Sequence, residues 1–226
     1  YDIDIAWRYR NKGIWRNMGG FLKSPSLERL SVLTGLKKDP YDCYDFLNDL
    51  HEQNNLDPIY FFLVAANRSV YDKNISPYDH NMWQLIRQHA KKYRTGLHPS
   101  WMSNEKHSLL TKEKRILETA GKVPVTRSRQ HYIKLTLPKT YERLMDAGIF
   151  QDYSMGYGSI NGFRASVASS FFWYNLSAEK ITTLRIYPFC FMDANSFYEQ
   201  KQNAVDSFDE LMNYYKRCKE AGGELM

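Results

Sequence analysis

The sequence predicts an α/β fold in which a parallel sheet is built from repeated strand–helix units. The 226-residue chain is long enough for one large domain, and 43% of its residues are apolar. Short apolar runs alternate with amphipathic stretches of about ten to fifteen residues, a pattern typical of βα units. One run, 59–64, is apolar throughout, as expected for a strand that is covered on both faces.

The elements follow in chain order. Strands are predicted at 2–5, 59–64, 95–98, 123–126, 148–150 and 183–187, where short apolar runs meet turn residues. Helices are predicted at 42–53, 79–92, 103–119, 138–147 and 203–220, where apolar residues recur at helical spacing. After Gly222 and Gly223 the pattern predicts the start of another strand, and therefore that the chain is an excerpt of a longer protein.

Two segments do not fit this alternation. Segment 153–180 is rich in Gly, Ser and aromatic residues, and segment 7–38 carries a single acid, Glu28. Both leave strand ends, so both are expected on the face where βα loops build sites, as solvated insertions. In the second, cations are interleaved with Trp15, Phe21 and Leu22, so an alternative is contact with an anionic polymer or membrane surface. Its cations are Arg8, Arg10, Lys12, Arg16, Lys23, Arg29, Lys37 and Lys38.

The amino-acid composition restricts the classes of function that the chain could have. The net charge of +6 allows an anionic partner without requiring one, and the chain has no known nucleic-acid recognition motif. No apolar run approaches the roughly 20 residues that a transmembrane helix needs. The three cysteines, Cys43, Cys190 and Cys218, are scattered, which slightly favours a reducing, cytoplasmic compartment over a disulfide framework.

Polar residues gather where predicted strands end. Asp2 and Asp4 are two residues apart in a strand, so both carboxylates lie on one face. Two close like charges are costly to bury without a cation or a proton, although both acids could simply be solvated at the strand end. His98, the segment 129–132 and Asp152 each follow another strand. Carboxylate and imidazole together form a common ligand set for zinc or a similar ion.

These segments together resemble the motif series of the polysaccharide deacetylase (NodB-homology) superfamily. The motifs are Asp-x-Asp at 2–4, Gly-Leu-His-Pro-Ser at 96–100, Arg-x-His-Tyr at 129–132 and Asp-Tyr-Ser-Met-Gly-Tyr at 152–157. The residues in these motifs are similar to those of a divergent bacterial subgroup of the superfamily. The resemblance implies a single catalytic domain over 1–226, truncated at both ends. It also implies an incomplete (β/α) barrel of about seven strands, whose last strand is missing from this chain.

The resemblance also implies a role for each motif residue. Asp2 would be the general base, and Arg129, paired with Asp152, would orient it. Asp4 and His98 would be ligands of a divalent metal, zinc before others. Substrate contacts would come from the backbone N–H near Tyr132 and from aromatic rings that could each instead belong to the core. These rings are Trp7, Trp101, Tyr153 and Tyr157.

The sequence departs from the family pattern in three places. Met102 stands four residues after His98, where the second ligand histidine is expected. His131 occupies a position that is usually Pro and could substitute as a ligand, and His107, inside a predicted helix, is a weaker candidate. The general-acid histidine of the last strand is expected beyond Met226. The visible site is therefore incomplete.

Two functions of different classes follow. The first is a metal-dependent hydrolase that removes acetyl or other acyl groups, as amides or esters, from an amino sugar or polysaccharide. The second is a catalytically silent barrel that binds glycan in surface-polysaccharide metabolism. Met102 favours the second, whereas Asp2, Asp4 and Arg129 favour the first, because a binding module gains little from paired acids. Metal content discriminates between them.

Overall fold

The computed structural model describes residues 1–67 and 69–226. Its strands are β1 (Asp2–Ile3), β2 (Ile59–Leu63), β3 (Arg94–His98), β4 (Arg127–Ser128), β5 (Gln151–Asp152), β6 (Phe171–Asn175) and β7 (Lys180–Ile186). Its α-helices are α1 (Ile14–Lys23), α2 (Leu27–Leu33), α3 (Tyr44–Gln53), α4 (His80–Lys92), α5 (His107–Gly121), α6 (Lys139–Asp146) and α7 (Ala204–Glu220). A 3₁₀ turn (His131–Ile133) and a π-helical turn (Asn195–Glu199) complete the described elements.

The strands belong to one sheet with the order β1-β2-β3-β4-β5-β7-β6. The β1–β2, β2–β3, β4–β5 and β5–β7 pairs are parallel, whereas β6 pairs with β7 in the antiparallel direction. Over the described residues the sheet is open and not closed into a barrel. The predicted α/β fold, an incomplete barrel of about seven strands, is therefore confirmed.

Two strands lie slightly later in the chain than predicted. The predicted runs 123–126 and 148–150 lie just before β4 and β5. The sequence pattern indicates strands there because the runs contain buried apolar residues, although these residues do not belong to the ladder. Val125 and Ile149 are both fully buried. The ladder itself pairs Arg127 with Gln151 and Ser128 with Asp152.

Strand β6 lies inside segment 153–180, which the sequence pattern left outside the alternation. It is an edge strand, and its side chains alternate between half-buried and exposed up to the buried Asn175. Phe172 is 54% exposed and Tyr174 is 42% exposed. An aromatic run at a sheet edge lacks the polar alternation that usually marks such a strand, so the seventh strand of this sheet was not recognised from the sequence.

The chain divides into two compact units. The first comprises Tyr1–Ser100 and Lys112–Val125, and the second comprises Trp101–Thr111 and Thr126–Met226. The prediction of one domain over 1–226 stays a prediction. No helix of residues 1–67 and 69–226 has both the length and the apolar character that crossing a bilayer requires.

The core of the first unit is formed by the buried strand β2 and by helix α4. Tyr60, Phe62 and Leu63 are wholly inaccessible, as the continuous apolar run predicts. Helix α4 begins at an Asp79 cap, whose carboxylate accepts the backbone N–H groups of Asn81 and Met82. The strand and the helix thus give the first unit a fixed frame for β1 and β3.

The second unit has its own core, centred on α6 and β7. Its fully buried side chains include Tyr141, Leu144 and Leu184. Helix α7 begins at Asn203, whose side-chain oxygen accepts N–H groups of Val205 and Asp206. This core supports β4 and β5, after which the remaining motif residues follow.

Candidate active site

Asp4 and His98 meet at the carboxyl ends of β1 and β3. The sheet register pairs Ile3 with Phe62 and Phe62 with Leu97, so the residues that follow β1 and close β3 lie at one level. Asp4 Oδ1 lies 3.1 Å from His98 Nε2. The His98 side chain is 3% exposed and that of Asp4 is 47% exposed. A buried imidazole thus faces a carboxylate that remains open to solvent.

Asp2 lies in β1, two residues before Asp4. It is exposed, and its partner across the ladder is Phe61. The alternation of a strand puts Asp2 on the same side of the sheet as Asp4, as the sequence predicts. The first unit therefore supplies two carboxylates of different environment and one buried imidazole.

In the second unit, the turn that follows β4 has an unusual backbone. Tyr132 has φ 56° and ψ 20°, and Ile133 has φ 53°. Left-handed conformations are uncommon for residues other than Gly, and a β-branched residue there is an outlier. Each such residue costs on the order of 1–3 kcal/mol, and such strain is concentrated at functional sites. The 129–132 motif therefore lies in a turn whose shape the surrounding structure imposes.

Hydrogen bonds hold this strained turn. The backbone N–H of Gln130 donates to Ser154 Oγ at 2.8 Å, and that of Ile133 donates to the Gln130 carbonyl at 2.9 Å. The Asn104 amide, which is buried, donates to the Lys134 carbonyl at 2.6 Å. Contacts on both sides of the turn thus fix the direction of the Tyr132 backbone.

Asp152 is fully buried, and two serines hold its carboxylate. Its Oδ2 accepts the hydroxyls of Ser128 at 2.9 Å and Ser154 at 2.8 Å, and its Oδ1 accepts the Ser154 N–H at 3.0 Å. Arg129 places its guanidinium 4.4 Å from the centre of the Phe189 ring. The pairing of Arg129 with Asp152 stays a prediction.

The Asp152 carboxylate reaches the strained turn through Ser154. The Ser154 hydroxyl donates to Asp152 and accepts from the Gln130 N–H, so the three residues form one chain of hydrogen bonds. Burial raises the pKa of Asp152 to about 6, against the opposing effect of the Ser154 and Ser128 hydrogen bonds. Asp152 is thus a positioning residue for the turn.

We expect this buried carboxyl to make stability depend on pH. Its pKa rises from about 3.8 in the unfolded chain to about 6, so between these values the folded state binds the proton more tightly. The free energy of unfolding should therefore fall as the pH rises from about 4 to 6, by about 3 kcal/mol, and level off above. Urea unfolding of the wild type and of Asp152→Asn across this range measures the difference.

A matched control is Asp146→Asn, which removes an exposed acid of α6. This variant should keep the wild-type pH dependence, whereas Asp152→Asn should lose the component between pH 4 and 6. If the free energy of unfolding changed equally with pH in the wild type and in Asp152→Asn, Asp152 would not retain its proton in the folded state.

The remaining histidine candidates differ in environment. His131 is 6% exposed in the 3₁₀ turn, with its ring centroid 4.5 Å from that of Tyr132. His107 is exposed at the start of α5, where its Nε2 lies 3.3 Å from Thr111 Oγ1. In the first unit, Asp4 and His98 offer a carboxylate oxygen and an imidazole nitrogen 3.1 Å apart, and both atoms are able to bind a metal ion. The choice of His131 as a further ligand stays a prediction.

The aromatic candidates divide into surface and core. In the second unit the Trp101 and Tyr132 rings meet edge to face with centroids 5.7 Å apart, and Tyr132 is 57% exposed. Lys134 Nζ lies 4.1 Å from the centre of the Trp101 ring. Tyr153 is buried and stacks on Tyr187, in agreement with the alternative that its ring belongs to the core.

The other two aromatic candidates, Trp7 and Tyr157, also differ in their exposure to solvent. Trp7 is only 7% exposed and belongs to the core of the first unit. Tyr157 is 37% exposed and remains accessible in the second unit. Trp101, Tyr132 and Tyr157 are therefore the rings of the candidate set that a ligand could reach.

Sequence reasoning missed Ser128 and Ser154, the two residues that bind Asp152. A signal for Ser154 was available, because Asp followed two residues later by a polar residue is the pattern of a local side-chain-to-backbone turn. The hydrogen bond from the Ser154 N–H to Asp152 Oδ1 is that contact. Ser128 had no comparable signal, since it becomes a partner only through the β4–β5 register.

Comparison with solved structures shows the same fold. A Mycobacterium smegmatis protein assigned as a polysaccharide deacetylase matches with a TM-score of 0.60 and 12% identity, covering 100% of this chain and 72% of that chain. PuuE allantoinase matches with a TM-score of 0.53 and 16% identity, covering 79% of this chain and 55% of that one. IcaB from Ammonifex degensii matches over 51% of this chain and 55% of that one, with a TM-score of 0.38 and 13% identity.

No family model and no curated protein sequence matches the chain. At these levels of identity, the two structures with TM-scores above 0.5 show a shared fold. The resemblance to the polysaccharide deacetylase superfamily that the motifs indicate is thereby confirmed as a resemblance of fold.

Proposed function

We propose that this chain, which has the fold of the polysaccharide deacetylase superfamily, is a metal-dependent hydrolase that removes acyl groups from an amino sugar or polysaccharide. The observation that carries the proposal is the 3.1 Å contact between Asp4 Oδ1 and His98 Nε2 at the ends of two strands. The fold neighbours, assigned as a deacetylase and named an allantoinase, support hydrolysis of a C–N bond. The acylated carbohydrate is proposed from the first of them.

The donor chemistry fits a divalent metal ion. Asp4 and His98 would offer one carboxylate oxygen and one imidazole nitrogen. Those donors suit zinc, with nickel and cobalt as alternatives. His131 is the proposed second histidine ligand, because Met102 stands at the position where the resemblance places that histidine. When bound, the ion would lower the pKa of a water molecule toward about 7 and polarise the acyl carbonyl.

The chain's own residues would do the remaining work. Asp2, an exposed carboxylate beside Asp4, would accept the proton of the attacking water. Arg129 would orient the Asp2 carboxylate by its charge. Asp152 would act indirectly. It binds the Ser154 hydroxyl, which accepts the Gln130 N–H, and these hydrogen bonds hold the turn that carries Arg129.

The strained turn would stabilise the negative charge that develops on the acyl oxygen during the reaction. A backbone N–H near Tyr132, held in the left-handed conformation, would donate to the oxygen of the tetrahedral intermediate. The exposed faces of Trp101 and Tyr132 would pack against the sugar ring. Rigid support of both is consistent with the dense hydrogen bonding around residues 130–134.

Acetate release tests this function. Purified protein loaded with zinc, nickel or cobalt is incubated with N-acetylglucosamine oligomers and with O-acetylated glycan, and free acetate is measured. We expect metal-dependent release that a chelator abolishes and metal restores. The matched negative control is the Asp4→Ala, His98→Ala double variant, and its activity should not exceed the buffer rate.

The second candidate, a silent glycan-binding barrel, is favoured by Met102 at the position of a ligand histidine. It predicts glycan binding by calorimetry with neither bound metal nor acetate release. That combination of results would replace the hydrolase proposal.

A further inference from the structure

Helices α1 and α2 present a large apolar surface to solvent. Helix α1 has no buried residue at all. Trp15 is 84% exposed, Leu22 is 80% exposed and Leu27 at the start of α2 is 82% exposed. We call this surface the α1–α2 face. Single exposed apolar side chains are normal, but a contiguous set of this size marks an interaction site.

The two helices also enclose an apolar groove. It has a volume of about 570 Å³ and is lined on the α1 side by Met18 and Phe21 and on the α2 side by Leu30 and Leu33. Apolar residues of α1 recur at positions 14, 18, 21 and 22, the spacing of one helical face. The sequence thus places them on one side of the helix, although no part of the core covers that side.

The segment that carries this face is rich in positive charge. Segment 7–38 contains eight Lys and Arg residues and one acid. Lys23, at the end of α1, and Lys37 are exposed, and Arg29 lines the groove. Burial lowers the pKa of Lys12 to about 8, and the charge of nearby Arg16 lowers it further, as expected where cations are crowded.

The face is fixed to the first unit. The buried Asp39 carboxylate accepts the backbone N–H groups of residues 8, 9 and 10, which lead into α1. The Tyr9 hydroxyl donates to Glu28 at 2.9 Å, so the single acid of the segment is engaged. Arg29 Nη1 donates to the Asn17 carbonyl and joins α2 to α1. The two helices therefore present the apolar face as a preformed surface.

We propose that the α1–α2 face docks on the surface of an anionic lipid bilayer, with its apolar side chains at the depth of the acyl boundary and its cations at the headgroups. Helices with exposed Trp and Leu on one side and flanking Lys and Arg bind interfaces in this way. A second copy of the chain fits less well, because a two-fold contact through this face would bring the cations of both copies together. A purely anionic polymer would leave the apolar residues in water.

Sedimentation with vesicles tests the proposal on the whole chain. We expect binding to phosphatidylcholine vesicles that contain about one third phosphatidylglycerol, and at least about tenfold weaker partitioning into phosphatidylcholine alone. The Trp15→Ser, Leu22→Ser double variant should lose binding to both. Reversing charge with Lys23→Glu should weaken partitioning into the anionic vesicles by about fivefold or more, since each cation near an anionic surface contributes about that factor.

The matched control removes apolar residues of equal exposure elsewhere. Leu176 is 78% exposed and Ile181 is 70% exposed, both at the β6–β7 hairpin. The Leu176→Ser, Ile181→Ser variant should bind vesicles like the wild type, and circular dichroism checks that both double variants stay folded. Equal vesicle binding by the Trp15→Ser, Leu22→Ser variant would overturn the proposal.

Two further outcomes also count against it. One is a wild-type dimer in light scattering that this variant makes monomeric, without vesicle binding by either protein. The other is binding to a soluble polyanion with no binding to vesicles. The test is independent of the hydrolase proposal, because the Asp4→Ala, His98→Ala variant should bind vesicles normally even if no metal is ever found.

Discussion

Replacing Asp4 and His98 together with alanine is expected to remove metal binding, with at least a 100-fold loss of affinity. The two side chains are in contact at 3.1 Å and would supply two of the proposed protein ligands. Changes beyond the ligands themselves already cost about 10–100-fold, so loss of two ligands should exceed that. The measurement is elemental analysis of dialysed protein, supported by competition with a metal indicator.

The matched control is His107→Ala, which removes an exposed histidine whose contact is with Thr111 on its own helix. It should keep about one metal ion per chain. His131→Ala tests the third ligand separately and should weaken affinity at least tenfold. A wild type that binds no zinc, nickel or cobalt even after reconstitution would rule out the hydrolytic mechanism and favour the silent glycan-binding barrel.

Substituting Asp2 with asparagine should lower kcat by about 100- to 10,000-fold while leaving metal content unchanged. A general base contributes about that much, and asparagine keeps the shape of the side chain but cannot accept the proton. Asp2 lies two residues from Asp4 and is exposed, so its loss should not disturb the core. The measurement is acetate release at saturating substrate, alongside elemental analysis of the same preparation.

The control here is Asp49→Asn, which neutralises an exposed acid on α3. Its kcat should match the wild type. If Asp2→Asn also lost its metal, Asp2 would be a ligand and not a base. If it retained full turnover, the base would have to be another residue.

The location of the polar residues of the site could be predicted from the sequence, because strand periodicity and strand ends determine that location. Asp4 and His98 each stand at the end of an apolar run, and in a parallel sheet such ends share an edge. Their contact follows from the register that aligns Ile3, Phe62 and Leu97. The buried strand β2 was equally clear, since all five of its residues are apolar or aromatic.

What the sequence could not predict depends on contacts between distant residues. Nothing in the motif at 129–132 indicates that Tyr132 and Ile133 adopt left-handed conformations, because hydrogen bonds of the turn with Ser154 and Asn104 help to impose them. The serine partners of Asp152 were missed for the same reason, since a carboxylate binds whichever donors the fold brings near it. Strand β6 was missed because its aromatic run lacks the alternation of polar and apolar residues that usually marks an edge strand.

The left-handed pair has a consequence for laboratory evolution. Glycine adopts positive φ without steric cost, so it would relieve the backbone at either position. Libraries sorted only for heat tolerance should therefore accumulate glycine at Tyr132, whose side chain is 57% exposed, and not at Ile133, whose buried side chain would leave a cavity. Libraries sorted for turnover should retain Tyr132, because glycine would also free the backbone to swing away from the substrate. The two selections would diverge at codon 132, and sequencing both pools would show the trade-off between stability and activity.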